Sequence, residues 1–100
     1  MENEFKELLK KELIKSLRDE KEIMKIILFG SFLKSDRPND ADIAIFQNSD
    51  EPYLALAMKY RRLTRKISKK IPLDIIPVKS DVKESSFLSE IESGEVIYEA

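Results

Sequence analysis

The chain has 100 residues, with 18 lysines and arginines against 19 aspartates and glutamates, for a net charge of −1. That length holds a single domain, residues 1–100, and the charge balance argues against a protein built to coat DNA or a membrane surface. With no cysteine and no histidine, disulfides, zinc–thiolate sites, thiol nucleophiles, imidazole ligands and a Ser-His-Asp triad are excluded, so any catalysis runs on carboxylates, hydroxyls, lysines or arginines.

In chain order, Phe5, Leu8, Leu9, Leu13 and Leu17 recur at three- and four-residue steps among lysines and glutamates, which predicts an amphipathic helix over 3–19. Its stripe is expected in the core, and it is long enough for part of it to serve a partner or dimer contact. The acidic start, Met1 to Phe5, lacks the apolar stretch of a leader. Apolar runs such as Ile26 to Phe29 are far short of the roughly 20 residues of a membrane span. A soluble, cytoplasmic protein with no membrane partner is expected.

Ile23–Phe29 reads as a buried strand that closes on Gly30-Ser31, and the polar stretch Phe32–Asn39 as a turn or short helical loop. Ala41–Phe46 is a second strand. Asn48 to Pro52 starts a helix whose buried stripe, Leu56, Tyr60, Leu63 and Ile67, carries it to about residue 70. Pro72–Val78 is a third strand, whose prolines favour an edge or a strand end. A short helix holding Phe87, Leu88 and Ile91 stops at Gly94, and Val96–Tyr98 is a candidate terminal strand. Residues 30–39 are too few for a parallel crossover, so the first two strands should be antiparallel. The helix between the second and third suits a right-handed parallel crossover. The expected fold is α+β, a small mixed sheet of about three strands with helices packed on it.

Alternation along a strand sends Asp40 and Asp42 to one face. Asp74 interrupts an apolar strand between Leu73 and Ile75, a costly position unless it is exposed or paired with something positive. If the third strand neighbours the second, Asp74 joins Asp40 and Asp42 in a cluster of hard oxygen ligands suited to Mg²⁺. Two-metal phosphoryl transfer uses such a set. Just ahead, Gly30 allows close backbone approach to a ligand, the N–H groups after it can cradle phosphate, and Ser31 adds a hydroxyl. Lys34 and Arg37 lie in the same loop, where a nucleotide contact and plain surface solubility are both open.

Gly30-Ser31, Asp40-Ala-Asp42 and Leu73-Asp74-Ile75 together resemble the polymerase-β-type nucleotidyltransferase superfamily, in particular its minimal nucleotidyltransferase (MNT) branch, the small antitoxin partners of HEPN-domain toxins. The resemblance runs from about Lys25 to Val78, and the ending from Phe87 to Glu99 is similar to that branch as well. It implies a nucleotidyltransferase fold and transfer of a nucleoside monophosphate, AMP from ATP or another NTP, with Mg²⁺, to a hydroxyl on an acceptor. It implies that Asp40 and Asp42 bind the metals, that Asp74 completes the cluster and activates the acceptor oxygen, and that Gly30 and Ser31 hold the triphosphate. It further implies a HEPN-domain protein as partner and acceptor, rather than nucleic acid. Two features depart from the family pattern: Ser35 stands where a glycine is usual, and only eight residues separate Ser31 from Asp40. A rival alignment takes Asp42 as the first acid and leaves Ala44 in place of the second. An antitoxin that neutralises its partner by contact, with little or no turnover, is the alternative.

Residues 59–70 carry seven cations, Lys59, Arg61, Arg62, Arg65, Lys66, Lys69 and Lys70, and no acid. Helical spacing puts Lys59, Arg62, Lys66 and Lys70 on one side, opposite Tyr60, Leu63 and Ile67. A solvated basic face and a surface for an acidic partner or RNA are both open readings.

Overall fold

Three elements of strongly apolar, β-branched character can bury themselves only by pairing, and in the computed structural model, which describes residues 4–36, 38–81 and 86–100, they lie side by side in one sheet. Its strands are β1 (Ile23–Phe29), β2 (Ala41–Gln47), β3 (Leu73–Lys79) and β4 (Glu95–Glu99), in the spatial order β3-β2-β1-β4. β1 is antiparallel to both β2 and β4, whereas β2 and β3 are parallel. Both pairing expectations hold. The sheet has four strands rather than about three, because the terminal segment pairs with β1 and gives its apolar, half-buried Ile97 and Tyr98 a place in the core.

Helix α1 (Glu4–Leu17) buries Leu9, Leu13 and Leu17. Its buried stripe is narrower than the spacing suggests, since Phe5 and Leu8 are 42% and 53% exposed. Crossing from β2 to β3 is done by α3 (Tyr53–Leu63) and α4 (Arg65–Ser68), not by one continuous helix to residue 70. The break is at Thr64, which is buried and turns its hydroxyl onto the Tyr60 carbonyl at 2.8 Å. Such back-bonding competes with the regular ladder and bends or ends helices. Two short helices complete the chain, α2 (Ser31–Lys34) and α5 (Ser86–Glu92); the expected packing of Phe87 falls outside the described side chains.

Side-chain alternation gives the sheet two unequal faces. Ile26, Leu28, Ala41, Ile43, Ile45 and Ile75 point into the main core with α1, α3 and α4. Ile27, Phe29, Ala44 and Phe46 point the other way, where Ile91 of α5 and half-buried Leu88 make a smaller cluster. Gly94 ends α5 hard against β1: a Cβ there would overlap the Leu28 carbonyl oxygen and stand 2.8 Å from the Phe29 Cβ.

An ion cage ties α3 to the turn before β1. Lys59 Nζ lies 2.7 Å from Glu22 and 3.1 Å from Glu20, and the hydroxyl of fully buried Tyr60 donates to Glu22 at 2.9 Å. Burial pushes the Glu22 carboxyl up, but hydrogen bonds from Lys59, its own backbone N–H and Tyr60 outweigh that and hold it below its ordinary value. Burial, then the bond to Glu22, pushes the Tyr60 phenol up.

Two outcomes follow from this packing. Gly94→Ala should destabilise the chain by about 1–3 kcal/mol, the usual scale for overpacking against atoms that cannot retreat, and thermal unfolding measures it. Glu22, ionised more readily folded than unfolded, contributes stability above its ordinary value of 4.5 that is lost as pH falls through the lower folded value. Chemical denaturation from pH 7 to pH 3 should therefore show a shallower acid loss in Glu22→Gln than in the parent chain.

Candidate active site

β1 ends at Phe29, and Gly30 turns the chain with φ 78° and ψ −153°. The positive φ is in the region where a side chain is strained. Helix α2 follows at once, anchored by buried Phe32. α1 holds it from outside: Lys6 Nζ donates to the Ser35 carbonyl at 2.6 Å and lies 5.3 Å from the centre of the Phe32 ring. Ser31 is thereby fixed at the mouth of β1, exposed, with Oγ 3.4 Å from Asp40 Oδ1.

Register brings the acids to the same end. Phe29 of β1 pairs with Asp42, and Asp42 pairs with Asp74 across the parallel ladder. Paired residues on neighbouring strands point to one face, with backbones about 4.8 Å apart. Ala44 and Phe46 follow Asp42 on that face, and Ile76 and Val78 follow Asp74, all in the smaller cluster. The two carboxylates thus stand on the face of the smaller cluster, opposite the main core with α1 and α3. Asp42 is half-buried, whereas Asp40, just ahead of β2, and Asp74 are exposed.

Gly30 and Asp42 are in direct contact. A Cβ on Gly30 would overlap Asp42 Oδ2, so the carboxylate is seated on bare glycine backbone. Sequence spacing does not show this contact. Its signal is scarcity: with two glycines in the chain, each occupies a place where a Cβ collides.

Asp40, Asp42 and Asp74 supply hard oxygen donors at one end of one sheet. Among the described residues no three acidic side chains stand as a group that could hold a metal ion. Asp40 faces Ser31 and Asp42 rests on Gly30. Asp40 and Asp74 are exposed, and three carboxylates are hard oxygen donors of the kind Mg²⁺ takes. Lys34, exposed at the end of α2, borders the same mouth; Arg37 lies outside the described residues.

The family described as polymerase beta, nucleotidyltransferase matches residues 11–100. No curated protein matches the chain. Among solved structures, the chain is similar to one described as a tri-AMPylated Shewanella oneidensis HEPN toxin in complex with MNT antitoxin, with TM-score 0.64 and 22% identity over 100% of this chain and 74% of that one. It is similar to the toxin–antitoxin MntA–HepT, with TM-score 0.61 and 21% identity over 94% of this chain and 73% of that one. A mutant of that toxin–antitoxin pair gives TM-score 0.63 and 20% identity over 91% and 73%. At these identities the likeness is one of fold. Among the described residues no helix is long and apolar enough to cross a membrane.

Gly30→Ala should act on the fold and the site together. The strained backbone alone costs about 1–3 kcal/mol, and the new methyl group must displace the Asp42 carboxylate. Thermal unfolding should show the lower stability, and NMR shifts of the Asp42 and Asp74 carboxyl carbons should move from their parent positions.

Proposed function

The chain belongs to the polymerase β nucleotidyltransferase family, and from that premise we propose that it transfers a nucleoside monophosphate, AMP from ATP, to a hydroxyl of a protein acceptor. The observation that carries this reading is the in-register pair Asp42 and Asp74 on one sheet face, with Gly30-Ser31 directly beside it. Gly30 and Ser31 hold the triphosphate: the glycine lets the phosphates approach the backbone, and the serine hydroxyl donates to a phosphate oxygen. Asp40, Asp42 and Asp74 would hold Mg²⁺, which would supply neutralisation of the phosphate charge and of the leaving pyrophosphate. The acceptor oxygen bonds to the α-phosphorus as the bond to the bridging oxygen breaks. Asp74 takes the acceptor's proton and passes it to water. No group with a neutral-pH titration is required, in keeping with a chain that has no histidine.

In-line positioning of the acceptor is worth several kcal/mol of barrier. On this reading a bound protein that presents its own hydroxyl supplies the positioning. A HEPN-type helical protein is the proposed partner and acceptor. The fold likeness to structures described as MNT antitoxin with HEPN toxin supports that choice.

The separation of the three carboxylates favours a second reading, a contact antitoxin with weak or no turnover. Co-expression with a HEPN-type helical protein, followed by incubation with α-labelled ATP and Mg²⁺, distinguishes them. The transferase reading expects label on the partner, lost on chelation, and lost by a factor of at least about 100 in Asp42→Asn, as for removal of a metal-binding charge. A complex that forms without label in the parent chain supports the contact reading.

A further inference from the structure

The basic run of residues 59–70 divides in the folded chain. Lys59 is consumed by the ion cage with Glu20 and Glu22, and Lys70 by Glu12 at 2.9 Å. Arg61, Arg62 and Arg65 remain exposed and have no acidic partner among the described residues. All three line a groove of about 510 Å³ between α3–α4 and β3, on the opposite side of the sheet from Asp42, and aliphatic Met58, Leu73 and Ile75 line it with them. Leu54, one turn before Met58 on α3, is 65% exposed, and Met58 is 58% exposed. The surface is thus apolar at the start of α3 and cationic about 12 Å further on, at 1.5 Å per helical residue.

β3 is an edge strand. Ala41 N–H donates to the Pro72 carbonyl and Ser80 N–H to the Gln47 carbonyl, so even-numbered residues of β3 bond to β2 and odd-numbered ones face outward. Leu73 and Ile75 offer outward N–H groups, and Pro77 offers none, which stops an added strand after two donors. A helix laid in the groove needs no such ladder. Among the described residues no groove-lining side chain is aromatic, so they offer no stacking platform of the kind single-stranded RNA uses. We propose that this groove docks an acidic, amphipathic helix of a partner protein, with its apolar residues over Leu54 and Met58 and its carboxylates on Arg61, Arg62 and Arg65. This surface is independent of the transferase reading.

Fluorescence anisotropy with the full chain tests it, using as probe a labelled helical peptide of about 18 residues that carries leucines one turn apart followed by a run of glutamates. The expected result is binding that weakens with salt, falls about tenfold when Arg61→Gln, Arg62→Gln and Arg65→Gln are combined, and also falls in Leu54→Ser with Met58→Ser, where the salt slope is unchanged. The arginine variant should keep the parent melting point, because none of the three guanidinium groups makes an ion pair within the described fold. Absence of peptide binding, equal binding by the arginine variant, or tighter binding of an oligouridylate of the same length overturns the proposal.

Discussion

Parallel pairing of β2 with β3 is the constraint on which the rest of the molecule depends. A parallel neighbour obliges the chain to leave one end of the sheet and return to the other, and α3 and α4 make that return. The pairing puts Asp74 beside Asp42 and leaves β3 at the edge. It also lays the basic segment along the outside of that edge. The carboxylate end and the arginine groove are consequences of one ladder.

Unequal coverage of the sheet decides where chemistry is affordable. Helices α1, α3 and α4, with Phe32 of α2, seal one face, and a charge there would be stranded in an apolar core. Among the described residues the other face carries a smaller cluster under α5, and Asp74 at its strand end is exposed. The same alternation that drives Ala41, Ile43 and Ile45 inward sends Asp42 outward. Gly30 then completes the arrangement, since only a residue without a Cβ lets the Asp42 carboxylate lie on the turn that follows β1.

The charges show how a fold redistributes what a sequence presents as one block. Lys59 and Lys70 reach back to glutamates beside β1 and on α1 and help fasten the crossover to the sheet and the first helix. The break at Thr64 shortens α3 and re-aims the segment after it. The groove therefore collects Arg61, Arg62 and Arg65, not the side of Lys59, Arg62, Lys66 and Lys70 that uninterrupted helical spacing selects.

Local chemistry made much of this legible from the chain alone. Apolar period and β-branching mark β1, β2 and β3 to within a residue or two, the ten-residue turn at 30–39 requires antiparallel pairing, and the prolines of β3 place it at an edge. The D-x-D at the start of β2 and an aspartate between Leu73 and Ile75 are visible because charge in an apolar strand demands a reason. Other features were beyond sequence reading because they depend on atoms distant in the chain. The contact of Gly30 with Asp42 depends on strand register, and the end of the helix at Thr64 on a buried hydroxyl that finds the Tyr60 carbonyl. Exposure of Phe5 and Leu8 within an apolar stripe depends on how far the sheet extends beneath α1. Periodicity and residue type are properties of a segment, so the sequence by itself determined the elements and the acids they carry. Which side chains meet is a property of packing, so only the tertiary structure decided the register of those acids, the face they occupy and the arginines left without partners.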